Sequence, residues 1–197
     1  MAGDEHEPQV TTDEDLARAT ISDVRPQDGP VTLAEYDAAW PERYADLAGA
    51  IQAALGDAVV SIEHVGSTSV PGLVAKPIID IVLVVADSAD EEAYVPKLEA
   101  SGYRLRIREP DWFEHRLLKP RDEDVNLHVF SVGSSEIDRM LVFRDRLRAE
   151  PAERERYAAV KRELAARPWR HVQNYADAKT PVVDEIVARA RASEPAS

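Results

Sequence analysis

The residues best equipped for chemistry lie in one stretch, HVGSTSVPGLVAKPIIDIVLVV, from His64 to Val85. Gly66 allows a positive φ or a close approach of backbone to ligand. Ser67, Thr68 and Ser69 offer hydroxyls and suit the start of a helix, where free amides bind phosphate. Lys76 adds a cation, and Asp80 sets a carboxylate inside the apolar run IIDIVLVV. A carboxylate in such surroundings is costly unless it is paired, coordinated or protonated. Two roles are open to it: a hydrogen-bond anchor for the turn or for Lys76, or part of a metal or phosphate site. Gly66 and Gly72 bracket five residues without the following GK[ST], which excludes a Walker-type phosphate loop.

A second candidate stretch is VNLHVFS, which as a strand puts Asn126 and His128 on one face. Imidazole favours zinc, manganese, nickel or iron over magnesium. Glu63 and His64 precede the glycine turn. Arg104, Arg106 and Arg108 alternate, and Arg116 and Lys119 follow on the next apolar stretch. Such a strip suits an anionic substrate, although pairing with the chain's many acids is the commoner fate. The 197 residues include no cysteine, so thiolate metal sites and disulfides are excluded. There is no Ser–His–Asp order, HExxH, GxSxG, zinc-finger spacing or dinucleotide fingerprint.

The formal net charge of −13 argues against duplex nucleic acid as a partner. It also requires any phosphate site to be locally basic or metal-assisted. The N-terminus, MAGDEHEPQV, is the opposite of a signal peptide, and no segment has the length and apolarity of a membrane span. The expectation is a cytoplasmic protein.

These residues must be positioned by their elements. Residues 1–30 read as a disordered acidic tail, with a short helix near Asp13–Ala19 that Thr12 and Asp13 are able to cap. VTLAEY reads as a brief strand, and WPERYADLAGAIQAALG as a helix with Tyr44, Leu47, Ile51 and Leu55 on one side. AVVSIEHV is a strand. PIIDIVLVV, apolar on both faces apart from Asp80, is a central covered strand. ADEEAYVPKLEASG has helical spacing, which Pro96 interrupts. YRLRIRE, FEHRLLK and VNLHVFS follow as an antiparallel meander. Everything after Gly133 is helical, with restarts at Pro151 and Pro181. The class is α+β: a mixed sheet of about five strands flanked by helices, with a C-terminal helical bundle. The domain is expected to span residues 31–192, leaving 193–197 as a tail.

The stretch IEHVGSTSVPGLVAKPIIDI closely resembles the signature of the GrpB-like family, in the polymerase-β-like nucleotidyltransferase superfamily. VTLAEYDAAWPERY, NLHVF, FRDRLRAEPAERERYAAVKREL and NYADAKTPVVDEI agree with it, so the likeness covers residues 31 to 190. The resemblance implies a nucleotidyltransferase-like fold. It also implies a metal-dependent reaction between a small-molecule substrate and ATP or another nucleoside triphosphate. Val65, Gly66 and Ser67 match the superfamily's glycine–serine element, and Asp80 its first carboxylate. Val82 stands where the second carboxylate belongs, and it cannot bind a metal. If the two strands are neighbours, as the superfamily fold implies, Asp80, Asn126 and His128 converge on a divalent cation (magnesium, manganese or zinc). Asp80 and His128 are then the candidate catalytic residues. Gly66, Ser67, Thr68 and Lys76 are the candidate nucleotide-binding residues, joined by Lys161 and Lys179, because the helical part of related enzymes closes over the nucleotide. The family also occurs fused to dephospho-coenzyme A kinase. The second reading is therefore a non-catalytic nucleotide- or metabolite-binding module, accessory to coenzyme A metabolism.

Overall fold

The computed structural model describes residues 11–21, 31–121 and 124–193. Its centre is a five-stranded sheet built from Ser61–Val65 (β1), Ile79–Val85 (β2), Tyr103–Glu109 (β3), His115–Pro120 (β4) and Val125–Ser131 (β5). The spatial order is β1-β2-β5-β4-β3. Only β2 and β5 are parallel; the other neighbours are antiparallel. The apolar run is thus a strand with neighbours on both sides, as its double-sided hydrophobicity predicts. The meander β3–β4–β5 forms as expected and returns to β2.

Both faces of β2 are covered, each by a different part of the chain. Ile79, Ile81, Leu83 and Val85 meet Trp40, Ile51 and Leu55 of Trp40–Leu55 (α2), together with Leu98 of Val95–Ala100 (α3). On the opposite face Val82 and Val84 join Val65, Phe130 and Ile137 of Ser135–Ala149 (α4). Asp80 opens that second face. Beyond it stand Pro151–Ala165 (α5), Val172–Asp177 (α6) and Thr180–Ser193 (α7). Here Leu147, Tyr157 and Ile186 pack on Val70, Leu73 and Val74, which lie between the glycine turn and β2. Among the described residues no helix is long and apolar enough to cross a membrane.

Three expectations change. VTLAEY is not a strand: its one ladder contact is a bridge between Ala34 and Ala75, because Val31 and Leu33 turn into the helical clusters. The helix through Pro96 is two pieces, a 3₁₀ turn at Glu91–Ala93 and then α3, so the proline sits in a first turn where its missing N–H costs nothing. The expected N-terminal tail is structured over residues 11–21. Asp13–Ala19 (α1) has a capping box between Thr12 and Asp15. Polar ties hold it: Thr11 N–H donates to Asp177, Asn174 donates to the Thr11 carbonyl, Asp13 meets His171 and Arg170, and Ile21 N–H donates to Arg106 O. Composition underestimated this segment because no residue of α1 is buried. Residues 1–10, 22–30 and 194–197 of the expected tails lie outside the described residues.

If α1 is held by these polar contacts alone, Asp13→Ala should speed hydrogen exchange at the amides of 13–19. It should leave the urea unfolding free energy within about 0.5 kcal/mol of the parent. Slow exchange that persists in the variant would show that other contacts hold the helix.

Candidate functional site

The antiparallel register sets Val65 opposite Asp80, so the chain leaving β1 turns directly over the carboxylate. Gly66 makes that turn with φ 67°, and a Cβ there would lie 2.3 Å from Asp80 Oδ2. Glycine is therefore required twice, for its dihedral and for its missing side chain. Ser67–Ser69 forms a single 3₁₀ turn, not the helix start expected. Its hydroxyls divide: Ser69 donates to Gly66 O at 2.6 Å, Thr68 donates to Ile78 O at 3.1 Å, and Ser67 meets the Tyr157 hydroxyl. Thr68 is buried, with its proton committed to the backbone. His64 Nε2, 3.1 Å from Thr68 Oγ1, must then be the donor in that pair. His64 lies on the other sheet face, stacked on Tyr44, and burial pushes it down to about 4.

Asp80 remains accessible, with 26% of its side chain exposed. Its Oδ1 accepts a hydrogen bond from Asn126 Nδ2 at 2.7 Å, and His128 Nε2 lies 3.7 Å from the same oxygen. The parallel register makes this meeting, with Asp80 beside Asn126 and Val82 beside His128. The three side chains thus converge as the resemblance implies. Burial opposes the charge on Asp80, but His128, Asn126 and the Lys179 cation outweigh it and hold the carboxyl below its ordinary range. Behind His128 stand two residues that sequence reasoning passed over. His115 Nε2 is 3.0 Å from His128 Nδ1, and His115 Nδ1 is 2.6 Å from Glu109 Oε2.

Four lysines lie within electrostatic range of the carboxylate: Lys76 from the loop before β2, Lys119 from β4, Lys161 from α5 and Lys179 between α6 and α7. Each feels the Asp80 charge. Burial lowers the pKa of all four. Lys179 further lowers Lys76 and Lys161, as Lys119 lowers Lys76, so the cations crowd one another. Lys161 is pushed down to about 6 and Lys179 to about 8. Lys161 is only 2% exposed and donates to Val74 O at 2.6 Å. Lys179 sits 4.5 Å above the Tyr175 ring.

The other candidates serve structure. Arg144 donates to Glu63 at 2.8 Å and to His64 O, clamping α4 to β1. Glu63 has the correct face to replace the missing acid, being opposite Val82, but it is committed to this clamp. A bulge between Leu105 and Ile107 breaks the arginine strip, and Arg108 and Arg116 converge on Glu91.

The donor set does not fit a resident pair of divalent cations. Among the described residues no group of three or more histidine, cysteine or acidic side chains is placed to hold a metal. The Asn126 amide turns its nitrogen to Asp80, and the four lysines repel a bare cation.

The family model described as GrpB protein matches residues 30–189. A UPF0157 protein of Halalkalibacterium halodurans is 59% identical over 92% of this chain and 93% of its own. The crystal structure of conserved protein GrpB from Enterococcus faecalis superposes with a TM-score of 0.68 at 30% identity, covering 81% of this chain and 96% of that one. A more distant relative, a dephospho-CoA kinase of Mycolicibacterium paratuberculosis, is 29% identical over 82% of this chain and 46% of its own.

Two stability predictions follow from this geometry. Gly66→Ala should destabilise by at least about 2 kcal/mol in urea, since strain and the clash with Asp80 add. Lys161 folds with its pKa depressed from 10.5 to about 6, so its stability contribution is present at high pH and is lost as pH falls toward 6. Measured against Lys161→Met, the parent should lose about 2–3 kcal/mol between pH 8 and pH 6. Parallel pH profiles would show that Lys161 stays charged in the fold.

Proposed function

The chain belongs to the GrpB family, and we propose that it binds the polyphosphate of a nucleoside triphosphate, or of a similarly anionic small molecule, in the pocket around Asp80. The observation that carries this reading is the convergence of Lys76, Lys119, Lys161 and Lys179 on one carboxylate, in a chain whose net charge is −13. Crowded, partly desolvated ammonium groups lower one another's proton affinity, which costs stability; a polyanion relieves that repulsion. Asp80 offsets one lysine charge and leaves the remainder, with the proton that Lys161 takes up, for a ligand. Lys76, Lys119 and Lys179, which are half-buried, are placed to meet phosphate oxygens, while Lys161 supplies field from below. Ser67 and the backbone of the glycine turn form the neighbouring wall. A ligand of this kind belongs to the cytoplasm.

Binding without transfer is the reading that the donor set favours. Nucleotidyl transfer of the two-metal kind needs a second acid, which Val82 does not provide. A divalent cation that arrives on the polyphosphate is part of the ligand, and Asp80, His128 and Asn126 line the place it would share. The dephospho-CoA kinase match supports a link to coenzyme A metabolism, whose intermediates also carry polyphosphate and nucleotide groups.

Calorimetry with ATP and with inorganic pyrophosphate tests the proposal. Saturable binding at pH 7.5 should be accompanied by uptake of about one proton, chiefly on Lys161, read from the dependence of heat on buffer ionisation. Lys119→Met and Lys179→Met should each weaken binding about 10- to 100-fold, the range for a lost charged hydrogen bond. No binding at millimolar ligand, or binding indifferent to both variants, would end the reading. Manganese-dependent pyrophosphate release that Asp80→Ala abolishes would establish transfer in place of binding alone.

A further inference from the structure

The helix α1 ties two walls of the lysine pocket together. At its start, Thr11 N–H donates to Asp177 Oδ2 at 2.9 Å, and Asn174 Nδ2 donates to the Thr11 carbonyl at 3.0 Å. Asp177 shortly precedes Lys179, which feels its charge. At the other end Ile21 N–H donates to Arg106 O at 2.9 Å, and Thr20 bridges to Ile107 on β3. Lys119, on the neighbouring strand, pairs with Arg104 and feels the Arg106 charge. Both Lys119 and Lys179 feel Asp80. One end of the segment is thus fixed beside Lys179 and the other beside Lys119. Between them α1, about 10 Å long at the usual helical rise, crosses from the helical wall to the edge strand. Asp80 keeps 26% of its side chain exposed, so the crossing narrows the mouth of the pocket without sealing it.

The fastening is weak. No residue of α1 is buried. Asp13 meets Arg170 where both side chains are more than half exposed, and such a pair contributes little. His171 Nε2 lies 3.0 Å from the other Asp13 oxygen. A segment held by a few polar ties, with no apolar surface committed, opens at low cost. The charge of α1 also matches that of the expected ligand. Its first turn holds Asp13, Glu14 and Asp15, against one basic residue, Arg18, in its last. The closed segment therefore brings negative charge to the rim of a pocket whose lysines suit an anion, and segment and ligand compete for the same field.

Building on the polyphosphate reading, we infer that α1 is an autoinhibitory strap, which lies across the lysine pocket in the free protein and is displaced when a polyanion enters. A ligand shifts such an equilibrium only through its different affinity for the two states. Here the open state offers a wider mouth and less opposing charge. Linkage makes the effect run both ways: a polyanion that prefers the open state releases α1, and a change that releases α1 strengthens the polyanion.

The experiment uses the full chain with inorganic pyrophosphate as the probe. In the parent, saturating pyrophosphate should speed hydrogen exchange at the amides of 13–19 about tenfold. The double variant Asp13→Ala/Asn174→Ala, which cuts ties at the start of the strap, should bind pyrophosphate about tenfold more tightly, the equivalent of one or two polar contacts. Glu14→Gln removes the same charge as Asp13→Ala but keeps the ties, and should change binding less than about threefold. For the closed state, Asp13→Cys/His171→Cys is bridged with a bis-maleimide; the sequence has no cysteine, so these are the only thiols. Bridging should lower the association rate at least about tenfold against the same chain unbridged, because entry then lacks the open state. Equal affinity in parent and double variant, or exchange in α1 that slows on binding, overturns the strap and leaves the polyphosphate reading standing. A gain in Glu14→Gln equal to that of the double variant traces the effect to charge alone and also overturns it. Failure of every form to bind pyrophosphate removes both. The exchange measurement on the parent decides the matter even if the variants do not fold.

Discussion

The structure depends on a carboxylate standing at the mouth of a buried strand within the electrostatic reach of four lysines. Neither side of this arrangement is stable alone. Asp80 is a partly desolvated anion held by His128, by the Asn126 amide and by the Lys179 cation; without Asp80, the lysines would lose the one carboxylate whose charge raises the proton affinity of all four. The pairing is also unbalanced, because four lysines, one of them with its pKa pushed down to about 6, share one carboxylate. A chain with a net charge of −13 gathers four of its lysines where backbone and side chains already crowd together. Such an excess is costly to an empty protein and useful to one that receives an anion.

The topology explains how residues so far apart in sequence reach one point. β1 runs antiparallel to β2 and delivers Gly66 at the start of the run; β5 runs parallel and delivers Asn126 and His128 from its own start. β4, antiparallel to β5, brings Lys119 to the same end, and the C-terminal helices complete the wall with Tyr157, Lys161 and Lys179. The sheet and the helical bundle therefore share the site, and the apolar cluster of Val70, Leu73, Val74, Tyr157 and Ile186 is the joint between them.

How much of this was legible in the sequence depends on the range of the interaction. The strands, the meander, the glycine turn and the singular place of Asp80 all rest on patterns within ten residues or so. The meeting of Asp80 with Asn126 and His128 came from the family resemblance, since adjacency of β2 and β5 cannot be read from periodicity. Glu109 and His115 were missed because their part depends on register: only when Leu117 is set opposite His128 does His115 fall on the same face. The alternation of His115, Leu117 and Lys119 against Asn126 and His128 was an available signal. Lys161 entered as a candidate through the resemblance alone, since nothing local distinguishes a surface helix lysine from one buried against Val74 O. The N-terminal helix Asp13–Ala19 was legible in its Thr12 cap, whereas its anchoring to the domain was not, because polar ties are not counted by composition.

Val82 settles how the departure from the superfamily pattern should be understood. It is fully buried among Val65, Val84, Phe130 and Ile137, so α4 packs directly over the position where a second acid would stand. A carboxylate there would sit in an apolar cluster at a cost of several kcal/mol. Glu63, the acid directly across the ladder, is drawn off by Arg144 to fasten that same helix. The loss of the second carboxylate is thus built into the packing of α4 on the sheet. The packing of α4 therefore leaves Asp80 as the one carboxylate among the described residues at this end of β2 that is not committed to a clamp, in the field of the four lysines.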